Sequence, residues 1–197
     1  MKYDPHKYHR RSIRLKGYDY SQAGAYFVTI CVQNGQMLLE PDAVREMILV
    51  WWHKLAEKFP NVELDEFVIM PNHVHFIVVI LDVASGQTRG SAPTEGNDAV
   101  GTHPHVRPNP ANHPTLGNIV QWFKTMTTNA YIRGVKSDGW EPFPKRLWQR
   151  NYYEHIIRTE RALNAIRQYI DDNPAKWHED SLHPDAPINK FNAEWER

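Results

Sequence analysis

No stretch of the chain narrows the possible folds more than its middle. Two β-prone runs, Val62 to Met70 and His73 to Leu81, are separated by Pro71-Asn72 alone. A two-residue break sends the second run back along the first, so the chain contains a tight antiparallel hairpin. Proline fixes φ and asparagine tolerates the left-handed region, which suits a turn. Upstream, Ala25 to Val32 is rich in β-branched and aromatic residues and reads as a strand buried on both faces, closed by Asn34-Gly35. Pro41 stands where a helix can begin. Val44, Met47, Ile48, Trp51, Leu55 and Phe59 then recur at helical spacing up to Pro60-Asn61.

Downstream, Leu116, Ile119, Val120, Phe123, Met126, Thr127, Ala130 and Tyr131 again keep helical spacing, with Gly134 as a stop signal. Residues 135–147 are irregular, and Trp148 to Ile157, aromatic and β-prone, holds the fourth strand. Thr159 can cap a last helix with Glu160 in its first turn. Its stripe is Ala162, Ile166, Tyr169, Ile170 and Asn173, and Pro174 ends it. The order β-α-β-β-α-β-α predicts an α+β fold. Its first six elements follow the ferredoxin-like pattern, an antiparallel sheet with helices on one face, and a further helix follows at the C-terminal end. Residues 1–24 read as a polar, basic arm. Residues 82–114, rich in Gly, Pro, Ser, Thr and Asn without periodicity, read as a flexible insertion. Residues 175–197 read as a polar tail.

Composition removes several classes of function. With 41% hydrophobic and 12% aromatic residues in 197, the chain can bury a single-domain core. No run of eighteen apolar residues exists, so no transmembrane helix is expected and no membrane partner. Basic residues at the start have no apolar block behind them, so a secretory signal is not expected. Cys31 is the one cysteine, which excludes an internal disulfide and a thiolate zinc cluster and leads to the expectation of a cytoplasmic protein. Lys+Arg and Asp+Glu both number 23, which weighs against a sequence-independent nucleic-acid binder. The distribution is less even. Residues 1–20 and 124–158 are both basic, and a polyanion can bind there if the two segments share a face.

Three constellations carry potential chemistry. In Met70-Pro71-Asn72-His73-Val74-His75, strand alternation puts His73 and His75 on one face and Val74 on the other. Two adjacent imidazoles can grip one divalent metal. They can equally be hydrogen-bonded strand histidines. His103-Pro104-His105 has the same spacing but sits in the insertion, without a rigid scaffold. Tyr169 and Asn173 lie four apart on one helix face that also carries Ile166 and Ile170. That pair reads either as core with a cap or as a functional pair. Trp148 to His155 mixes aromatic rings with Arg150 and the pair Glu154-His155, which suits either stacking on unpaired bases or an amphipathic strand edge.

Taken together these segments resemble the single-tyrosine transposases whose mark is His-hydrophobic-His (HUH), and within them the REP-associated tyrosine transposases, which act on repetitive extragenic palindromes. The residues that carry the resemblance are Arg10 to Leu15, Tyr26 to Thr29, Val68 to His75, Trp148 to Arg150, Glu154 to Arg158 and Tyr169 to Pro174. The resemblance implies a catalytic domain over 25–174. It implies a metal pair in His73 and His75, completed by Asn173, and a nucleophile in Tyr169. Tyr152 and Tyr153 are rival nucleophiles. It implies Mg²⁺ or Mn²⁺ as cofactor and no nucleotide cofactor. The implied partner is single-stranded DNA bearing hairpins, held by Arg10, Arg11, Arg14, Lys16, Lys124, Arg150 and Arg158, with Glu154 and His155 supporting the metal residues. Both a monomer and a homodimer are compatible with it. A non-cutting, domesticated hairpin-binding protein and a nickase like a replication initiator are the rival readings.

Overall fold

The computed structural model describes residues 14–15, 17–82 and 114–186. Four strands form one antiparallel sheet: β1 (Gly24–Cys31), β2 (Val62–Met70), β3 (His73–Ile80) and β4 (Tyr153–Ile157), in the order β2-β3-β1-β4. The helices are α1 (Asp42–Lys58), α2 (Leu116–Ser137) and α3 (Glu160–Asp172), and a 3-10 segment, Asn173–Glu179, follows α3 directly. This is the α+β, ferredoxin-like arrangement that the element order predicts.

Alternation along the strands divides the side chains between two cores. Tyr26, Val28 and Ile30 of β1 and Val74, Phe76, Val78 and Ile80 of β3 meet α1 and α2 on one face. Residues of the opposite parity, such as Phe27 and Ile77, meet α3 in a smaller cluster around Ile157 and Ile170. The two helical layers thus sit on opposite faces, and α3 with the 3-10 segment after it covers the face that carries His73 and His75. On β2 the parity changes partway. Val62 and Leu64 face the larger core, and so do Phe67 and Ile69, because a bulge inserts a residue between Leu64 and Phe67. The bulge carries Asp65, whose carboxylate accepts from Arg167 Nε of α3 at 2.8 Å and from its Nη2 at 2.5 Å. An irregularity of the sheet thereby staples the third helix to it.

The helix starts follow capping chemistry. Thr115 and Asn118 form a reciprocal capping box at α2. Thr159 accepts from the Ala162 N–H at 3.2 Å at the start of α3. Two expectations change and one is narrowed. Gly134 does not stop α2, which runs on to Ser137. A Cβ at Gly134 would lie 2.3 Å from the Trp140 ring, so the glycine serves close packing, and the left-handed turn falls at Gly139 with φ +70°. Trp148 is not part of β4. It bridges Val32 alone, and pairing resumes only from Tyr153. Asn72 does not use the left-handed region; among the described residues other than glycine only Asn34 and Lys145 have positive φ. Its contribution to the turn comes from its side chain.

Candidate metal and tyrosine site

Register assembles the site. In β1 and β3, Thr29 lies opposite His75 and Cys31 opposite His73. Both imidazoles therefore project from the middle of the sheet toward α3. Their Nε2 atoms are 3.0 Å apart. Each Nδ1 has its own oxygen partner: Asn72 Oδ1 at 2.8 Å from His73 and Thr29 Oγ1 at 2.8 Å from His75. Asn72 Nδ2 donates to the Leu182 carbonyl at 2.8 Å, which orients the amide so that its oxygen faces His73. An amide oxygen only accepts, so His73 Nδ1 carries the proton and Nε2 presents a lone pair. Burial holds both imidazoles in the neutral form, His73 well below its ordinary pKa and His75 at about 3.

Tyr169, on the last turn of α3, places its hydroxyl 3.3 Å from His75 Nε2. Its ring meets Phe27 edge-on, with centroids 6.0 Å apart, while Phe27 stacks on His75 at 5.3 Å. The tyrosine is 46% exposed, whereas Ile170 beside it is 1% exposed. One residue therefore anchors the helix and its neighbour offers a phenol at the edge of the site. Burial raises the Tyr169 pKa first, the Asp180 carboxylate raises it further, and a hydrogen bond from Asn173 acts in the opposite sense. Asn173 is buried, and its Oδ1 has no hydrogen-bond partner.

Asp180 was not expected. It follows the 3-10 segment, in the stretch read from sequence as a tail, and its carboxylate returns to within 3.7 Å of His73 Nε2. Atoms of His73, His75 and Asp180 able to bind a metal lie within 4.8 Å of one another. Burial raises the Asp180 pKa, against hydrogen bonds from the Leu182 N–H and Asn173 that lower it. Two imidazole lone pairs and a carboxylate form a donor set that fits a divalent cation. Cys31, opposite His73, is not part of that group. The sequence signals for the remaining partners were weak. Thr29 becomes visible once the β1–β3 register is known, but nothing local to residue 180 points back to residue 73.

Several residues proposed from sequence lie elsewhere. Glu154 points to the opposite face, where it pairs with Arg14 and accepts from the Tyr20 hydroxyl at 2.7 Å. It therefore cannot support the histidines. Arg14 also lies over the Tyr152 ring at 3.5 Å, so its guanidinium ties the incoming chain to the region of β4 rather than standing out for phosphate. Lys124 is likewise committed, its Nζ donating to the carbonyls of Gln149 at 2.9 Å and Asn151 at 2.8 Å. Burial lowers its pKa to about 7. Tyr152 is buried in the larger core, away from the histidines, which removes it as a rival nucleophile. Tyr153, opposite Thr29, and His155, opposite Phe27, share the site face. Arg150 and Arg158 are exposed. Arg10, Arg11, Lys16, His103 and His105 lie outside the described residues.

A four-stranded antiparallel sheet with helices arranged in this way has a known counterpart. The structure of a REP-associated tyrosine transposase bound to a REP hairpin matches with a TM-score of 0.54, covering 94% of this chain and 87% of that one at 20% identity. The fold is that of the REP-associated tyrosine transposases. The chain belongs to one family with an uncharacterised Haemophilus influenzae protein, 36% identical over 192 residues that span 93% of this chain and 98% of the relative. A second Haemophilus influenzae protein, assigned as a REP-associated tyrosine transposase, is 21% identical over 189 residues, 90% of each chain. No protein-family model matches the chain.

Proposed function

We propose that this protein is a transposase that cuts and rejoins single-stranded DNA beside hairpins of the REP type, with Tyr169 as its nucleophile. The observation that carries this reading is the Tyr169 hydroxyl 3.3 Å from His75 Nε2, at the rim of the buried His73-His75-Asp180 group. His73, His75 and Asn173 would hold a dication, Mg²⁺ or Mn²⁺, which would supply positive charge that favours the phenolate and polarises the scissile phosphate. Tyr169 Oη forms a bond to phosphorus while the bond from phosphorus to the 3′ oxygen breaks. The phenol loses its proton and the departing 3′ oxygen gains one, leaving a 5′-phosphotyrosine and a free 3′-OH. Attack by another 3′-OH reverses the step and reseals the strand without a nucleotide cofactor.

The chain's own geometry supports positioning for this step. Phe27 holds both the His75 ring and the Tyr169 ring, and Ile170 fixes the helix. The histidines, the tyrosine and the asparagine all come from one chain, so a monomer is sufficient for the chemistry. Exposed Arg150 and Arg158 are the described candidates for the DNA backbone, and Arg10, Arg11 and Lys16 are proposed to add to them. One observation favours a second reading, a hairpin binder that does not cut: His73 is 0% and His75 3% exposed.

A labelled hairpin oligonucleotide with a single-stranded flank, incubated with Mn²⁺ or Mg²⁺ and run on a denaturing gel, separates the two. The expected result is a protein–DNA adduct that disappears with chelator and with Tyr169→Phe. Cleavage at the wild-type rate in Tyr169→Phe removes the nucleophile assignment. Hairpin binding with no adduct under any metal establishes the second reading.

A further inference from the structure

We propose that Asp180 is itself a ligand of the metal centre, a carboxylate that the segment after α3 adds to the two histidines and Asn173. The proposal rests on reading the site as a metal centre and goes on to say what completes it. Asp180 Oδ1 is taken by the Leu182 N–H at 2.6 Å. Oδ2 faces His73 Nε2 at 3.7 Å, longer than a hydrogen bond. That nitrogen already presents a lone pair, because its partner across the ring is an amide oxygen 2.8 Å away. Two acceptors aimed at one point are not an ion pair. They are the arrangement in which a cation between them satisfies both.

Charge supports the same assignment. Among the described residues the only basic side chain within ion-pair distance of Asp180 is His73, and the Asp180 side chain is 5% exposed. A carboxylate taken out of water without a Lys or Arg partner is costly, and a dication removes that cost. His73, His75 and Asn173 are all neutral donors, so they leave the ion its full double charge. Asp180 reduces the sum to one positive charge, which still attracts a phosphodiester. His75 Nε2 lies 3.0 Å from His73 Nε2, and the ligand atoms of His73, His75 and Asp180 all lie within 4.8 Å of one another.

The carboxylate is not placed there by chance fraying. Asn72 bonds His73 through its oxygen and the Leu182 carbonyl through its nitrogen, at 2.8 Å each. One side chain therefore sets both the imidazole and the turn that delivers Asp180. Two imidazoles with one carboxylate suit Mn²⁺ better than Mg²⁺, which prefers oxygen and retains its waters.

The test is calorimetric titration of Mn²⁺ into the full chain without DNA. Asp180→Asn keeps the size and the acceptor for the Leu182 N–H, and far-UV and near-UV circular dichroism of the metal-free variant check its fold. The expected result is Mn²⁺ affinity weaker by about tenfold or more, partial recovery in Asp180→Glu, and loss of binding in His73→Ala. Unchanged affinity in Asp180→Asn, with binding lost in His73→Ala, overturns the assignment of Asp180 and leaves the proposed function standing. No Mn²⁺ binding by the unaltered chain overturns both. A failed Tyr169→Phe gel experiment with the expected titration result overturns only the nucleophile.

Discussion

Replacing Ile170 by alanine is expected to release α3 from the sheet before it unfolds the protein. The two cores are unequal. The larger one joins α1, α2 and all four strands, whereas α3 rests on a cluster whose fully buried members are Ile77, Ile157 and Ile170. Ile170 is the only buried residue of α3. Alanine removes three carbons, ~2.4 kcal/mol of transfer free energy, and the space left behind raises the loss to about 3 kcal/mol. The remaining ties of α3 are the Thr159 cap, the half-exposed Arg167–Asp65 pair and partly buried neighbours such as Ile166. A loss of about 3 kcal/mol multiplies the undocked fraction of the helix by roughly 150-fold. Amide exchange in peptides from 160–172 therefore accelerates by about two orders of magnitude, while amides of β1 and β3 keep their protection. Adduct formation on a hairpin oligonucleotide falls only as far as the docked fraction of the helix does, because Tyr169 shares it. Equal acceleration in α3 and in the sheet would show that the two cores open as one, and the reasoning from a separate small core would be wrong.

Three further outcomes follow from named contacts. Thr127 Oγ1 accepts from Trp148 Nε1 at 2.8 Å and donates to the Phe123 carbonyl at 2.7 Å in a fully buried position, so Thr127→Val strands the indole N–H and costs about 1–3 kcal/mol in urea unfolding; an unchanged midpoint contradicts this. Helix propensity alone promises a gain of about 1 kcal/mol from Gly134→Ala, but the added methyl meets the Trp140 ring, and a lower melting temperature is expected from overpacking. The Arg167 hydrogen bonds hold the Asp65 carboxyl below the usual range. A lowered folded pKa means stabilisation that is complete above the unfolded value near ~4 and lost as pH falls through the folded value. Solvent screening limits this to about 1 kcal/mol or less, and Asp65→Asn should flatten that part of an acid titration of stability; an identical acid limb in the variant argues against the staple.

Local chemistry made much of this molecule legible. Pro71-Asn72 between two β-prone runs requires the hairpin. Helical spacing marks all three helices, and Thr159 with Glu160 marks the start of the last. The period of two in a strand puts His73 and His75 on one face, and the period of the helix puts Tyr169 and Asn173 on one side. Each of these depends on residues a few positions apart, whose relative directions backbone geometry dictates. Gly134 misled for the same reason: its role depends on Trp140 folding back onto it, which no local pattern contains.

What needed the tertiary structure are the contacts between residues far apart in the chain. Strand register alone brings Thr29 to His75, and the bulge at Asp65 alone brings β2 to Arg167. Glu154 turns away from the histidines because β4 pairs with β1 in a parity that places it on the other face, with Arg14 and Tyr20. Asp180 reaches His73 because the 3-10 segment reverses the chain and Asn72 catches it at Leu182. Sequence periodicity states which side of its own element a residue occupies; which other element lies on that side is decided by how the faces pack, and the grouping of His73 and His75 with Tyr169 of α3 and Asp180 beyond it exists only after that packing.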